Sequence, residues 1–203
     1  MEIKNLTLGM LGVNCYLISG ESGAVVIDPG YQSLEAVEFL KENRDKERLI
    51  VLTHCHFDHI GFADTLSKET DTRIAIGEFE EEGLGDNNIN LSANFANGIN
   101  PVKAERLLKD GETLMVGDLE FKVIHTPGHT VGGISLLSGK NLFSGDTLFF
   151  ESIGRTDFPG GDFSVLEISV KKLYELNGDT VVFSGHGPSS TIRHEKNNNP
   201  FIR

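Results

Sequence analysis

The stretch THCHFDHIGF, residues 53–62, places three histidines and an aspartate within the six positions from His54 to His59. It directly follows LIVL, residues 49–52, a continuously apolar run that predicts a strand buried on both faces. The histidines therefore lie in the loop at the carboxyl end of a strand, where a rigid sheet holds side chains in fixed positions. The rest of the chain has to supply that sheet and complete a site around the histidines.

Short apolar segments on both sides of this stretch predict alternating strands and helices. Strands are predicted at 3–9, 14–19, 24–28, 119–124, 133–137, 141–143 and 180–183, and helices at 34–39, 63–68 and 164–176. In the first helix, the spacing of Leu34, Val37 and Leu40 predicts one shared apolar face. The alternation indicates an α/β fold with two similar halves, and 203 residues suit a single domain, 1–203.

The charge balance and the cysteine count indicate which partners and which cellular compartment to expect. The chain carries 18 basic and 30 acidic residues, a net charge of −12, so binding to nucleic acid is not expected. No apolar stretch approaches the roughly 20 residues that cross a bilayer, and MEIKNLTLGMLG lacks the pattern of a secretory signal. Two cysteines do not make a disulfide framework. The sequence therefore predicts a cytoplasmic protein without nucleic-acid or membrane partners.

Histidine and aspartate are the side chains that bind zinc and similar divalent metals. Alternate residues of an extended loop project the same way, so His54 and His56 can reach one ion. Asp58 and His59 then turn towards a neighbouring position. The same alternation points Cys55 away from the two histidines, and we expect it to be a packed thiol.

Three later predicted strand ends carry matching groups. His129 follows the Pro-Gly turn of IHTPGHT, Asp146 ends the strand in LFSGDTLF, and His186 stands in VVFSGHGP. Together with the first cluster, they make five histidines and two aspartates. A single structural zinc needs only four ligands, so the surplus predicts a centre of two metals that share a carboxylate.

The order THxHxDH, PGHT, GD and GHG resembles the metallo-β-lactamase superfamily along nearly the whole chain. The resemblance implies an α/β fold of the four-layer αβ/βα sandwich type, with the metals at the edge between two sheets. By the same resemblance, His54, His56 and His129 hold the first metal, Asp58, His59 and His186 hold the second, and Asp146 bridges them. The expected cofactors are two divalent ions, zinc first, with iron or manganese as alternatives, because such sites accept all three.

Some residues of this chain differ from those of other branches of the superfamily, and one stretch resembles a particular group. Asp146 stands where the true β-lactamases of this fold carry Cys or Ser, and His56 stands where the di-iron flavoproteins carry Glu. The stretch DTLFFESIGRTDFPGGD resembles the glyoxalase II-like hydrolases, and its GRTD resembles their short bacterial members and the persulfide dioxygenases. The long glyoxalase II enzymes carry a basic residue at the place of Arg155, an aromatic at the place of Asp157, and a helical C-terminal domain that contacts glutathione. That separate domain is not expected here.

The expected reaction is hydrolysis of an S-lactoyl-type thioester by a hydroxide that bridges the two metals, with Asp58 and Asp146 as the catalytic residues. Two divalent cations outweigh two carboxylates, so we expect a positive centre and an anionic small-molecule substrate. A thiolate, whose conjugate acid has a pKa of ~8.5, leaves without a strong proton donor. Arg155 is the candidate contact for a substrate carboxylate, and an ion pair with Asp157 is the alternative.

Two other functions fit parts of the motif set. A persulfide dioxygenase would use one iron held by His54, His129 and Asp146, and GRTDF favours it. A binding module with a structural metal would have a closed, four-ligand site.

Of four further features, three have two interpretations each. Asp28 either orients a ligand imidazole or forms a simple turn. His125 either lines the site or is a hydrogen-bonded structural residue, and we favour the second. His194 is expected on a solvated helix face. The Asn-rich segment 86–101 is either a functional loop or a mobile surface loop.

Overall fold

Two six-stranded sheets pack face to face in this computed structural model, which describes residues 1–202. The first sheet runs in chain order through β1 (Glu2–Leu8), β2 (Val13–Ser19), β3 (Gly23–Ile27), β4 (Glu47–Leu52), β5 (Ile74–Gly77) and β6 (Arg106–Leu108). The later strands are β7 (Thr113–Val116), β8 (Leu119–His125), β9 (Ile134–Ser138), β10 (Asn141–Gly145), β11 (Leu148–Phe149), β12 (Ser152–Ile153), β13 (Val181–Ser184) and β14 (Ser190–Thr191). The second sheet has the order β14-β13-β10-β9-β8-β7, and β11 and β12 form a separate ribbon.

The helices lie between and after these strands. They are α1 (Leu34–Glu42), α2 (Phe57–Ile60), α3 (Ala63–Thr70), α4 (Ser92–Phe95), α5 (Phe163–Tyr174) and α6 (Ile192–Asn198), with 3₁₀ turns at Glu78–Glu80 and Glu82–Leu84. Side-chain caps start the longer ones: Ser33 accepts a hydrogen bond from the backbone of Ala36, and Asp162 accepts one from Val165. Within residues 1–202, none of the helices has both the length and the apolar character needed to cross a membrane.

Three apolar layers hold the elements together. Ile50 of β4 faces α1 and α3, whereas its neighbour Val51 points into the layer between the two sheets. On the far face of the second sheet, Leu142 packs with Leu166 of α5. The order is therefore helices, sheet, sheet, helices, which confirms the four-layer αβ/βα sandwich. It also explains why the last four residues of β4, 49–52, are all apolar, since both faces of the strand are buried there.

The face of α1 differs from the prediction. Leu34 is 73% exposed, and the buried side chains are Ala36, Val37 and Leu40. At ~100° per residue, Leu34 lies about 120° around the helix from Leu40, whereas Ala36 lies only about 40° away. The prediction that Leu34 shares the buried face of α1 is therefore wrong.

Each predicted strand and helix has an observed counterpart with ends shifted by a few residues, but several elements were not predicted. They include β5, β6 and β7 and the short helix α2 inside the histidine motif, whereas α6 is the helix expected around His194. Segment 86–101 contains the short helix α4 and is not structureless. Short elements of four residues carry too little periodicity for sequence patterns to reveal them.

Parallel pairing places the functional strand ends at one edge. β3 pairs with β4 in parallel, and β10 pairs with β13 in parallel. The loops after β4, β10 and β13 therefore leave their sheets at shared edges. The backbone N–H of Ile134, in the second sheet, donates to the carbonyl of Thr53 at the end of the first (2.9 Å). This bond joins the two sheets next to the histidine motif.

Phe121→Ala should destabilise the fold, because Phe121 is fully buried between the two sheets. Truncating a buried Phe costs about 3–5 kcal/mol. Urea unfolding of the metal-free protein measures the change. Met115→Ala, at a half-exposed position of β7, serves as the control and should change the free energy of unfolding by under about 1 kcal/mol. An equal loss in both variants would contradict the packing described.

Candidate metal centre

Seven side chains from four loops converge at the edge between the two sheets. Their ligand-type atoms form three groups, each with all atoms within 4.8 Å of one another: His54, His56 and His129; His54, His59 and Asp146; Asp58, His59 and His186. The first and third groups are the trios expected for two metals. The structure thus brings together all seven residues proposed from the sequence, and their assignment to particular ions stays a prediction.

Asp146 lies between the two trios. Its Oδ1 is 3.3 Å from His59 Nε2, and its Oδ2 is 3.5 Å from His129 Nε2. On one side of it, His129 Nε2 and His56 Nδ1 approach to 2.9 Å. On the other side, His59 Nε2 and His186 Nε2 approach to 3.3 Å. Asp146 Oδ2 is also 3.7 Å from His186 Nε2. The carboxylate therefore approaches imidazole nitrogens of both trios, as the proposed bridging role needs.

Backbone carbonyls orient two of the imidazoles. His129 Nδ1–H donates to the carbonyl oxygen of Arg155 (2.7 Å), and His186 Nδ1–H donates to that of Leu11 (3.1 Å). A carbonyl can only accept, so the proton of each neutral ring is on Nδ1. The Nε2 lone pairs of both rings consequently point into the centre.

Asp28 orients two more imidazoles. Its carboxylate accepts from the backbone N–H of Thr53 (2.8 Å), from Thr53 Oγ1 (2.6 Å) and from His59 Nδ1 (2.9 Å). Thr53 Oγ1 gives its proton to Asp28, so it accepts from His54 Nδ1–H at 3.1 Å. Asp28 is 1% exposed. The prediction that Asp28 orients a ligand imidazole is thus supported by its contacts, and its backbone also turns there, with φ at 52°.

The donor set fits divalent cations. Within residues 1–202, the buried atoms His54 Nε2, His56 Nε2 and Asp146 Oδ1 have no hydrogen-bond partner. When both rings are neutral, the Nε2 atoms of His59 and His186 present lone pairs to each other across 3.3 Å. Lone pairs facing one another repel unless positive charge lies between them. Imidazole and carboxylate together suit zinc, iron and manganese.

The pKa values of the histidines and carboxylates also indicate that the site suits a cation. Burial lowers the pKa of His56 to about 3, aided by the neighbouring His129. Burial also lowers the pKa of His59, but the carboxylates of Asp146 and Asp58 outweigh it and raise that pKa well above its usual value. For Asp146, burial acts to raise the pKa, and the histidines, His59 first, bring it well below its usual range. The carboxylates thus stay ionised and attract positive charge, which a bound cation supplies directly.

Glu80 braces two of the loops and was not found from the sequence. It is 1% exposed, and its two oxygens accept from the backbone N–H groups of Cys55 and Gly132, each at 2.7 Å. The first loop carries His54 and the second follows His129. Among the acidic residues of EFEEEG, nothing in the local sequence distinguishes Glu80. Cys55 itself is buried in the core beneath the first sheet, as expected of a packed thiol.

Segment 86–101 is tied to the histidine motif. The carbonyl of Asn90 accepts from the backbone N–H of Phe57 (2.9 Å), and its side chain donates to the carbonyl of Gly83. Asn90 is fully buried. Leu91 and Phe95 from this segment line a pocket over the centre. The contacts favour the interpretation of a functional loop.

That pocket has a volume of about 380 Å³ and opens onto the centre. It is lined by Leu11, His56, Phe57, Asp58, Leu91, Phe95, His129, Asp146, Phe149, Ile153, Arg155, Phe158 and His186. Arg155 lies at its rim, where both Nε and Nη2 donate to Asp157 at 2.7 Å. The structure therefore has the internal ion pair that was the alternative for Arg155, and its contact with substrate stays a prediction.

Two other histidines lie outside the centre. His125 Nε2–H donates to the carbonyl of Val131 (3.2 Å), the structural role favoured from the sequence. His194 is on the exposed side of α6, where Nε2 pairs with Glu151 at 3.0 Å. Neither residue belongs to a ligand group.

Sequence comparisons agree with this geometry. The family described as the metallo-beta-lactamase superfamily matches residues 8–186. Hydroxyacylglutathione hydrolase GloC of Haemophilus influenzae is 34% identical, and the probable metallo-hydrolase YqgX of Bacillus subtilis is 32% identical. Each alignment covers 100% of this chain and 98% of the relative.

Solved structures are similar over almost the whole chain. BLEG-1 B3 metallo-beta-lactamase superposes with a TM-score of 0.91 at 38% identity, covering 99% of each chain. TTHA1623 in a di-iron-bound form gives 0.84 at 34%, covering 98% of this chain and 100% of the other. ETHE1 from Myxococcus xanthus gives 0.77 at 32%, covering 98% and 84%.

Asp28→Asn should weaken metal binding roughly 10–100-fold, the usual effect of removing a partner that orients a ligand. Asn tolerates the left-handed backbone of this position, so the change removes the charge and leaves the shape. Competition with a chromophoric chelator measures the affinity. Asp71→Asn is the matched control, because Asp71 also has a positive φ (50°) but is exposed at the end of α3. Unchanged affinity in Asp28→Asn would contradict the role assigned to Asp28.

Gly185→Ala should disrupt the centre, because an added Cβ would collide with Asp146 Oδ1 and the ring of His59. We expect the variant to lose most of its bound metal and about 1–3 kcal/mol of stability through overpacking. Gly85→Ala is the control, since nothing lies within 4 Å of its added Cβ. Elemental analysis of both purified variants provides the test, and full metal content in Gly185→Ala would refute the packing beneath Asp146.

Proposed function

Since the chain belongs to the metallo-beta-lactamase superfamily, we propose that it is a metal-dependent hydrolase of thioesters of the S-lactoyl type. The observation that carries the proposal is the position of Asp146 between two ligand trios, on the floor of an open pocket. Five of the seven proposed ligands line that pocket. A closed structural site would hide its ligands, so this opening disfavours a binding module.

The residues of the chain would hold two cations and orient them towards the pocket. His54, His56 and His129 would hold one, Asp58, His59 and His186 the other, and Asp146 both. When bound, such ions supply Lewis-acid chemistry and lower the pKa of water towards neutrality. The protein's own contribution is to keep the carboxylates of Asp58 and Asp146 ionised and the rings fixed by Asp28 and the backbone carbonyls.

The side chains that line the pocket indicate which kind of leaving group the reaction can have. Its titratable side chains are the proposed ligands His56, Asp58, His129, Asp146 and His186, together with Arg155. The ligands are committed to metal, and an arginine does not give up its proton. In thioester hydrolysis a C–O bond to water forms and the C–S bond breaks, leaving a carboxylic acid and a thiol. The sulfur departs as a thiolate, so no proton donor is required.

The comparisons support this choice of reaction. A full-length relative at 34% identity is named a hydroxyacylglutathione hydrolase. Zinc is the metal we propose, and the likeness to a di-iron-bound structure keeps iron as the alternative. We also propose a cytoplasmic location. Cys15 and Cys55 are both free and buried, as suits a reducing compartment.

A persulfide dioxygenase is the second candidate, with one iron held by His54, His129 and Asp146. The likeness to ETHE1 at 32% identity favours it. The convergence of Asp58, His59 and His186 into a second group favours the hydrolase, since one iron leaves that group without a purpose. Metal counting and oxygen consumption separate the two: two ions per chain without oxygen uptake, or one iron with it.

Asp58→Ala and Asp146→Ala should each lower kcat/KM for S-lactoyl thioesters by about 10³-fold, since metal catalysis contributes several kcal/mol. Thiol release measured with a disulfide dye reports the rate. Asp45→Ala, at an exposed turn position, is the control and should retain wild-type activity. A cephalosporin belongs in the panel because BLEG-1 is described as a B3 metallo-beta-lactamase. Cleavage of the cephalosporin alone, with no thioester hydrolysed by the fully metallated protein, would overturn the proposal.

A further inference from the structure

Three aromatic rings form one wall of the pocket. Phe57 and Phe95 are stacked, with centroids 6.1 Å apart and planes inclined by 11°. Phe158 meets Phe95 edge-on at 5.9 Å and approaches the ring of His56 at 6.0 Å. This aromatic wall, Phe57–Phe95–Phe158, thus extends from a proposed metal ligand to the pocket mouth.

Leu11, Phe149 and Ile153 also line the pocket, and Phe149 lies edge-on to His186 at 6.1 Å. The hairpin loop that carries Leu11 also carries Met10, which is fully exposed. With Leu91, seven of the thirteen lining side chains are apolar.

The wall is held in place and yet uncovered. Phe95 is 60% exposed although it ends the short helix α4. That helix is fixed by the side chain of Asn87, which accepts from Ser92 Oγ at 2.8 Å, and by the buried Asn90. An exposed aromatic ring on an anchored segment is costly to leave in water, and such apolar surfaces mark binding sites.

Within residues 1–202, Arg155 is the one Lys or Arg that lines the pocket, and its charge is already paired. Its fork is occupied by Asp157, and its guanidinium carbon lies 3.8 Å from the ring centroid of Phe158. The pair is close to neutral overall, and it extends the aromatic wall rather than presenting a cation to the substrate.

We propose that the substrate carries a neutral apolar group, aromatic or branched aliphatic, and that Phe95 selects for it by forming the centre of the aromatic wall. The inference rests on the proposed function, because the reacting carbonyl is taken to lie at the metal centre. It goes beyond that function by naming the chemical class of the group that the substrate carries beside its reacting carbonyl. A pocket of about 380 Å³ falls within the range of small-molecule sites.

The test measures how fast the metal-loaded protein hydrolyses two matched series of thioesters. In one series the acyl group is always lactoyl, and the thiol is benzyl mercaptan or the charged 3-mercaptopropionate. In the other, N-acetylcysteamine is constant and the acyl group is mandeloyl or lactoyl. We expect the apolar member to have at least about tenfold higher kcat/KM in one series, and Phe95→Ala to reduce that preference about five- to tenfold.

Phe163→Ala is the matched control. Phe163 is similarly exposed, at 47%, but lies at the start of α5 and does not line the pocket. It should leave both preferences unchanged. Equal rates within both series, faster cleavage of the charged member, or a preference that survives Phe95→Ala would overturn the inference.

A binding measurement separates this inference from the reaction itself. The thioethers 2-(benzylthio)propanoate and 2-(carboxyethylthio)propanoate cannot be hydrolysed, and calorimetric titration gives their affinities for the metal-loaded protein. Tighter binding of the benzyl compound, lost in Phe95→Ala, supports the apolar pocket even if no thioester is cleaved. Equal affinities, or no binding of either compound, would refute it whatever the enzyme hydrolyses.

Discussion

The site depends first on the buried carboxylate of Asp28. A buried charge without partners costs several kcal/mol, and here three donors compensate it: the N–H and the hydroxyl of Thr53 and the imidazole of His59. β3 and β4 are parallel neighbours, so Asp28 and Thr53 leave the first sheet side by side. The same contacts set the tautomers of His54 and His59. The compensation of one charge thus fixes the orientation of two proposed metal ligands.

The other loops are held by comparable means. Backbone carbonyls orient His129 and His186, and Glu80 joins the loop before His56 to the loop after His129. His59, His129 and His186 are thus each positioned by a group from a distant part of the chain. Contacts of this kind fix rings to within the small tolerance that metal coordination requires.

The pocket above the centre has two distinct halves. The floor is polar and made of proposed metal ligands, and the walls are apolar and made largely of phenylalanine. A substrate whose leaving group needs no proton fits the floor, and a substrate with an apolar arm fits the walls. The guanidinium of Arg155 pairs with Asp157 and lies over the ring of Phe158 in one of these walls. In the function and the selectivity that we propose, chemistry and choice of substrate therefore reside in different residues.

The sequence by itself determined the kinds of ligand and their place in the fold. The spacing of His54, His56, Asp58 and His59 after an apolar strand predicted a metal site at a strand end, and the later motifs predicted its other half. Local patterns could do this because strands, turns and ligand spacing are properties of neighbouring residues. They also determined the α/β class and most of the longer elements, although the wrong face was chosen at Leu34.

Only the tertiary structure decided how these parts meet. His59 and His186 are 127 positions apart in the chain, and Glu80 could be any of several acidic residues until its two backbone partners are seen. The pairing of Arg155 with Asp157 and the wall around Phe95 likewise depend on loops packing against each other. Such contacts form between segments distant in sequence, so no local pattern encodes them, and only the folded chain shows which side chains share a pocket.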